Sequence, residues 1–312
     1  MNTPEKYKNL QCPICKNGFK YSQLAILCNS CHEKFPVIDG IPILINEKNS
    51  LFNINSFVNK EDTTFDLKVS GIKSFLLGCV PNIGTNFIAK ENFKLIAKDL
   101  PSFSKILIIG GSISGKGMEV IYENEKFFLV SSDVSFGPKT DIICDGHDIP
   151  FEQGTFDCVI IQAVLEHVID PYRVVSEVHR VLKSTGLVYS EIPFMQSGHM
   201  REYDFTRFTH LGTLRLFNNF QRIDSGPCCG SGMALAWSVR GFFTSFTENI
   251  VIRRMLTLGV SLLVFPLKYF DRLTINKTGS FDTASAFYFI GSKSDVTKTD
   301  KEIIKLYKGM QR

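Results

Sequence analysis

Between Phe156 and Pro193 the chain reads FDCVIIQAVLEHVIDPYRVVSEVHRVLKSTGLVYSEIP, and few folds accommodate that order of patterns. Phe156–Ile161 is a short apolar, β-branched run that suits a strand buried on both faces. Asp170-Pro171 then opens a helix, with Asp as the N-cap and Pro at the first helical position. Val174, Val175, Val178, Val181 and Leu182 recur at three-to-four spacing and give that helix one apolar face. Lys183 to Gly186 is expected to end it, a basic last turn followed by glycine. Leu187–Ile192 is the next strand, stopped by Pro193. Strand, helix, strand in this order is a βαβ unit with parallel strands and a right-handed crossover, so the chain is α/β.

Upstream, Lys105–Ile109 (KILII) predicts a buried strand running straight into Gly110-Gly111-Ser112-Ile113-Ser114-Gly115-Lys116-Gly117. Glycines are needed where backbone turns tightly and approaches a ligand. Phe127–Ser132 predicts a second strand, with Asp133 at its tip, about 20 residues past the glycine loop, where a carboxylate accepts ribose hydroxyls. Asp141–Cys144 predicts a short strand leading to Asp145-Gly146, and Gln162 lies just past the strand at 156–161. Ligands of open α/β sheets collect beyond the carboxyl ends of the strands, and all these residues map there. A Walker loop needs G-x-x-x-x-G-K-(S/T), which Gly110–Gly117 lacks.

The linked motifs D-x-x-x-(I/L)-P-F at Asp145–Phe151, F-D-x-V at Phe156–Val159, L-E-H-V-x-D-P at Leu165–Pro171 and E-x-x-R-V-L-K-x-x-G at Glu177–Gly186 resemble the class I S-adenosylmethionine (SAM)-dependent methyltransferases of type 11. Ubiquinone and menaquinone biosynthesis methyltransferases share the pattern, and the likeness spans roughly residues 105–225. The resemblance implies a Rossmann-like seven-stranded sheet whose last strand enters antiparallel between strands five and six. It also implies SAM as cofactor, held by Gly110, Gly111, Ser112 and Gly115, with Asp133 at the ribose, Asp145 and Gly146 at the adenine and Gln162 near the methionine portion. The chain departs from the family's E/D-x-G-x-G-x-G at two places: Ile108 stands at the acidic position and Ser112 at the second glycine.

Cys12-Pro13-Ile14-Cys15 and Cys28-Asn29-Ser30-Cys31 are two CxxC knuckles with twelve residues between them. Cys12, Cys15, Cys28 and Cys31 supply the four soft ligands a structural Zn²⁺ takes in a tetrahedron; His32 is surplus to that set. With the following FPVIDGIPILI (Phe35–Ile45), this segment resembles the zinc-ribbon proteins that activate tRNA and release-factor methyltransferases. The expected organisation is a zinc ribbon at 1–46, a polar linker at 47–84 with a short helix near 72–77, and a SAM-dependent methyltransferase domain at 85–292. A helical insertion or cap at 227–282 precedes the last strand, and a frayed basic tail follows at 293–312. Thr85–Leu100 predicts an amphipathic helix; Phe87 or Asn92 either faces the cofactor or packs.

The chemistry asks mainly for orientation, because the sulfonium donor is already activated; a hydroxyl acceptor also needs a base. The loop Pro193–Gly212 carries His199 as candidate base, with Asp204 or Arg207 orienting it. In an alternative reading Asp204 and Arg207 pair to fix the loop and cap a helix starting near Thr209. His167 and Glu166 read as structural. In the insertion, Met255–Phe270 is too short to span a bilayer, which takes about 20 apolar residues. It reads either as a cap over the acceptor pocket or, with its basic flanks, as a peripheral membrane contact through 250–277.

The formal net charge is +4, and the basic excess sits at 250–312, with eleven Lys or Arg against five Asp or Glu. The N-terminus lacks an apolar leader pattern, and paired knuckles suit reduced thiols, so a cytoplasmic location is expected, with peripheral membrane contact open. The expected activity is methyl transfer from SAM to a small-molecule or lipid- or sugar-linked acceptor. The alternatives are an RNA methyltransferase, whose basic tail would meet phosphates, and a non-catalytic partner protein.

Overall fold

The computed structural model describes residues 5–22, 24–61 and 81–310. The helix expected near 72–77 lies outside the described residues. The N-terminal segment is a small antiparallel sheet of β1 (Phe19–Tyr21), β2 (Ala25–Cys28), β3 (Lys34–Ile38) and β4 (Ile41–Pro42). The main sheet comprises β5 (Lys105–Ile109), β6 (Phe128–Asp133), β7 (Ile142–Ile143), β8 (Phe156–Gln162), β9 (Leu182–Pro193), β10 (Phe220–Cys229) and β11 (Ala286–Lys293). Its order is β10-β11-β9-β8-β5-β6-β7. β7, β6, β5, β8 and β9 run parallel, while β11 is antiparallel to both β9 and β10. This is the seven-stranded class I methyltransferase sheet that the resemblance implied.

Alternation along the strands explains why both faces are covered. Leu107 and Ile109 of β5, Val159 and Ile161 of β8 and Val188 of β9 enter one apolar cluster with the helix Pro171–Val181. Ile106, Ile108, Cys158, Ile160 and Tyr189 enter the other, with the helix Ala89–Asp99. Asp170 caps the Pro171–Val181 helix by accepting the Arg173 amide at 3.1 Å. That helix ends at Val181 instead of near Gly186: Leu182 already has extended backbone, and β9 begins there. β10 runs on to Cys229, past the roughly 105–225 spanned by the family likeness.

Cys12, Ile26, Cys28, Phe35 and Leu44 belong to the same cluster as Leu107, Val130 and Phe151, so the ribbon completes the core of one face. Its exit strand reaches the free edge of the sheet, where Ile43 bridges Ile143 in parallel and the Leu44 amide donates to the Ile143 carbonyl at 2.8 Å. An open edge is thereby covered. The stretch read as linker is also built in where described: the helix Ile54–Val58 buries Phe57 against Ile43, Ile45 and Ile143. The tail is docked, not frayed. Its helix Asp300–Ile304 carries a Thr299–Glu302 capping box and buries Ile303 in the main core.

The insertion before β11 holds the short helix Ser280–Thr283 and, ahead of it, three longer ones, Ser231–Thr244, Ile250–Val264 and Leu267–Thr274. The last is pinned to the body. Asp271, fully buried, accepts the amides of Gly230, Gly232 and Met233 at the start of the first, and Lys268 Nζ donates to the Asn82 carbonyl.

Because ribbon and sheet share one core, Phe35→Ala is expected to cost about 3–5 kcal/mol. It should lower the unfolding midpoint of the whole chain in one transition, followed by circular dichroism. A separate early transition with an unchanged main one would contradict a shared core.

Candidate functional site

The ends of β5, β6 and β8 open onto one pocket. Gly110, Asp133, Asp145, Gly146 and Ala163 line its inner wall, and Leu51, Phe52, His167, Met200 and Tyr203 line its outer wall. β5 exits through Gly110 at φ +76°, where an added Cβ would come within 2.3 Å of Val164 Cγ2. Glycine is therefore required on two counts, conformation and space. Ala163, the residue after β8, also takes φ +54°, a strained backbone at the pocket wall.

Asp133 is buried at the tip of β6, and its Oδ2 accepts the Ser112 amide at 3.0 Å. Burial pushes its carboxyl up, against the pull of the Ser112, Val134 and Ser135 amides. Asp145 accepts from the His147 amide and ring at 3.0 and 2.6 Å, and from Ser50 Oγ at 2.6 Å. Burial works to raise that carboxyl too, but His147 and Ser50 outweigh it and hold it below the usual range. Gly146 lies against Val174, where a Cβ would meet Cγ1 at 3.2 Å.

Gln162 is the last residue of β8, not one beyond it. Its amide donates to the Lys116 carbonyl at 3.1 Å and to Glu191 Oε2 at 3.0 Å. With Gly110 and Gly115 it lines a smaller cavity beside the glycine loop, and a Cβ on Gly115 would lie 1.7 Å from Gln162 Oε1. Gly111 packs a Cβ's distance from Ile108 and Ser131, and Ser112 is buried. Glu191 is buried under the Tyr189 hydroxyl, and burial raises its carboxyl. Sequence reasoning passed over Glu191, although LVYSEIP places it on the strand directly beside Gln162.

The outer wall was also missed. Ser50 bonds Asp145, while Asn46 and Asn49 donate to Asp148 Oδ2 at 3.0 and 2.9 Å. Phe52 stacks on Tyr203 with ring centroids 5.7 Å apart. The segment that follows the ribbon is thus laid across the pocket and meets the loop after β9. By contrast, Asn92 donates to the Tyr189 hydroxyl and Phe87 packs on Tyr269, so both belong to the packing.

In that loop Asp204 accepts from Arg207 Nη2 at 2.6 Å and from the His199 amide at 2.5 Å. Arg207 in turn holds the Gln196 carbonyl at 3.2 Å. Asp204 is held below the usual carboxylate range: burial raises it, but Arg207 and the His199 amide prevail. Thr209 caps the helix His210–Leu216 through the Gly212 amide. His199 Nε2 faces Glu166 Oε1 at 3.5 Å, a partner the sequence did not suggest, and that carboxylate raises its imidazole above the ordinary value. His199 therefore does not stand as an unengaged base.

Outside the pocket lining, the Sγ atoms of Cys12, Cys15, Cys28 and Cys31 all lie within 4.8 Å of one another, with Cys12–Cys31 at 3.7 Å and Cys15–Cys28 at 3.3 Å. Tetrahedral Zn–S bonds of about 2.3 Å place sulfurs roughly 3.8 Å apart, so the thiols fit that ion. The chain turns through left-handed backbone at Lys16 and His32, right after each knuckle, which takes His32 out of the ligand set.

Residues 124–190 match the family described as a methyltransferase domain, of type 11. No curated protein matches the chain. Among solved structures it is similar to phosphoethanolamine N-methyltransferase 2 of Haemonchus contortus in complex with S-adenosyl-L-methionine, at 16% identity over 74% of this chain and 62% of that one, with a TM-score of 0.45. It is also similar to the [4+2]-cyclase SpnF, at 14% over 66% and 80%, TM-score 0.40. A SAM-dependent methyltransferase of Methanosarcina mazei is similar at 15% over 64% and 97%, TM-score 0.38. Over residues 124–190 the chain thus carries a match to a methyltransferase domain, laid on a seven-stranded sheet of the class I methyltransferase order.

Proposed function

We propose that the chain moves the methyl group of SAM to a small-molecule acceptor carried on a lipid or lipid-linked sugar. The observation that supports the transfer reading is the single pocket running from Gly110, Asp133 and Asp145 to His167, Met200 and Tyr203. In this reading Asp133 takes the ribose hydroxyls and Asp145 with Gly146 borders the adenine. The backbone of Gly110, Gly111, Ser112 and Gly115 passes the methionine portion, beside Gln162. Glu191 supplies there the carboxylate that Ile108 does not. His199 stands at the acceptor end, on a loop that Asp204 and Arg207 hold in shape. Cys12, Cys15, Cys28 and Cys31 hold a structural Zn²⁺, which keeps the ribbon, and through it the 46–52 wall, in place.

A second observation favours a membrane-borne acceptor. Phe242, Met255, Leu262 and Leu263 are exposed on the first two insertion helices and Phe246 on the turn between them, Phe246 at 73% and Leu263 at 79%. Arg253, Arg254, Arg272 and Lys277 are exposed around them. Apolar side chains rimmed by cations are what an anionic bilayer surface takes up. Among the described residues no single helix is long and apolar enough to cross a membrane. The pair Ile250–Val264 and Leu267–Thr274 reaches the length together but is bent by 41°, and Asp271 and Lys268 tie its second half to the body. The hairpin is thus suited to lie on a surface. It adjoins the acceptor loop, since Ser197 Oγ donates to the Trp237 carbonyl. The RNA reading loses support because two tail cations are engaged by the fold: Lys293 Nζ bonds the Leu182 carbonyl and Lys298 Nζ that of Phe220.

Calorimetry of SAM into the zinc-loaded chain should show binding, with Asp133→Ala weaker by about 1.5–3 kcal/mol, the worth of hydrogen bonds to a charged group. No heat from folded wild type would leave the non-catalytic reading. In flotation assays, the protein should rise with vesicles containing phosphatidylserine and less with pure phosphatidylcholine. A triple variant Phe246→Glu, Met255→Glu, Leu263→Glu should stay below in both. Wild type that ignores both vesicles would exclude the membrane-borne acceptor.

A further inference from the structure

Beside His167, which lines the outer wall of the pocket, sits a carboxylate to which the methyl-transfer reading gives no role. Glu166 follows the motif strand β8 and is fully buried, and neither of its carboxylate oxygens has a hydrogen-bond partner. Two imidazoles point at it: His167 Nε2 lies 3.6 Å and His199 Nε2 3.5 Å from Glu166 Oε1, and all three donor atoms fall within 4.8 Å of one another. A buried carboxylate is not left bare without cost, so something must compensate it.

Two compensations compete, and distance separates them. An imidazolium bonded to a carboxylate closes to about 2.7–2.9 Å; both contacts here are longer by more than half an ångström, and neither makes a hydrogen bond. Ligands of one tetrahedral ion at about 2.0–2.1 Å stand roughly 3.3–3.4 Å apart, which is near the separations seen. The His167 ring is set for the second case. Its Nδ1 lies 2.7 Å from the Tyr203 carbonyl; a carbonyl only accepts, so Nδ1 carries a proton, and Nε2 is the nitrogen left to offer its lone pair to an ion. A backbone carbonyl behind the distal nitrogen is the usual support of a ligating histidine. At His199 the long Arg207 Nη2 contact of 3.4 Å can only donate to Nδ1, with Asp204 Oδ2 at 3.7 Å, so taking an ion at Nε2 releases the proton held there.

We infer that Glu166, His167 and His199 form a second metal site, distinct from the four-cysteine ribbon, that takes a divalent transition metal such as Zn²⁺ through two imidazoles and one carboxylate. Three protein ligands leave a fourth position open. His167 also lines the pocket, so the open position belongs to the acceptor's side. Its ligand class is an oxygen donor, an acceptor hydroxyl; this last assignment rests on the methyl-transfer reading. It also explains why a short motif after β8 and a residue on the loop after β9 meet at one point, and it makes His199 a ligand instead of a base.

The test is cobalt(II) titrated into full-length protein whose ribbon already holds zinc. Wild type should take up a second ion, giving a visible spectrum of nitrogen and oxygen ligation without the thiolate charge-transfer band that exchange into the ribbon would produce. Metal analysis after desalting should then give about two ions per chain, falling to about one in Glu166→Gln and in His199→Ala. The half-exposed His199→Ala carries the result alone should the buried Glu166→Gln fail to fold. Wild type that keeps only the ribbon ion, or a second ion that persists in both variants, overturns the site. SAM titrated into the same samples reads the methyl-transfer assignment separately: a chain that binds the second ion but no SAM keeps the metal site and loses the methyltransferase reading.

Discussion

Strands β5 and β8 carry apolar side chains on both faces, and the free energy of covering two faces at once arranges the rest of the chain. One face is closed by the helix Ala89–Asp99. The other is closed by Pro171–Val181 together with the ribbon, whose Phe35, Ile26 and Leu44 sit beside Leu107 and Val130. At roughly 25 cal/mol per Å² of buried apolar surface, a ribbon of this size could not stabilise itself by burial alone. A core shared with the sheet offsets that, and the four clustered thiols fit an ion that would add to it. The consequence reaches the functional site, because fixing the ribbon at the β7 edge delivers residues 46–52 across the pocket mouth.

The pocket owes its character to strand ends that finish in residues unable to be apolar. β6 ends in Asp133, β8 in Gln162, and the β7 connection in Asp145, all of them largely removed from water. Each is kept polar by a specific partner: the Ser112 amide, Glu191, and the pair His147 and Ser50. These are pre-set acceptors and donors. A ligand that replaces water there finds the site's dipoles already oriented, which is what a cofactor site needs and what a purely structural turn would not maintain.

Much of this was legible in the residues. β5 and β8 were marked by β-branched runs, the helix Pro171–Val181 by its cap and period, the β11 position by the motif's likeness, and the four cysteines by spacing alone. Asp133 was marked by its place at a strand tip about 20 residues past the glycine loop, and Asp145 by the short strand before Gly146. What was not legible depends on distant contacts. Asn49 and Ser50 read as linker, and Asn46 as the last residue of the ribbon, because polar residues without period carry no local signal, yet their partners Asp145 and Asp148 lie far along the chain. Glu166 and His199 sit on separate elements, so their meeting could not be inferred from either motif. The helix at 300–304 read as frayed because its one buried anchor, Ile303, is surrounded by charge.

The central claim is that segment 46–52, the glycine loop and the strand tips form one cofactor pocket. Hydrogen–deuterium exchange of the zinc-loaded chain with and without S-adenosylhomocysteine tests it most directly. The account expects exchange to slow together in residues 46–52, 110–117 and 145–148, with the insertion helices unchanged. Saturating ligand that leaves all three segments unprotected, or that protects the insertion alone, would contradict it.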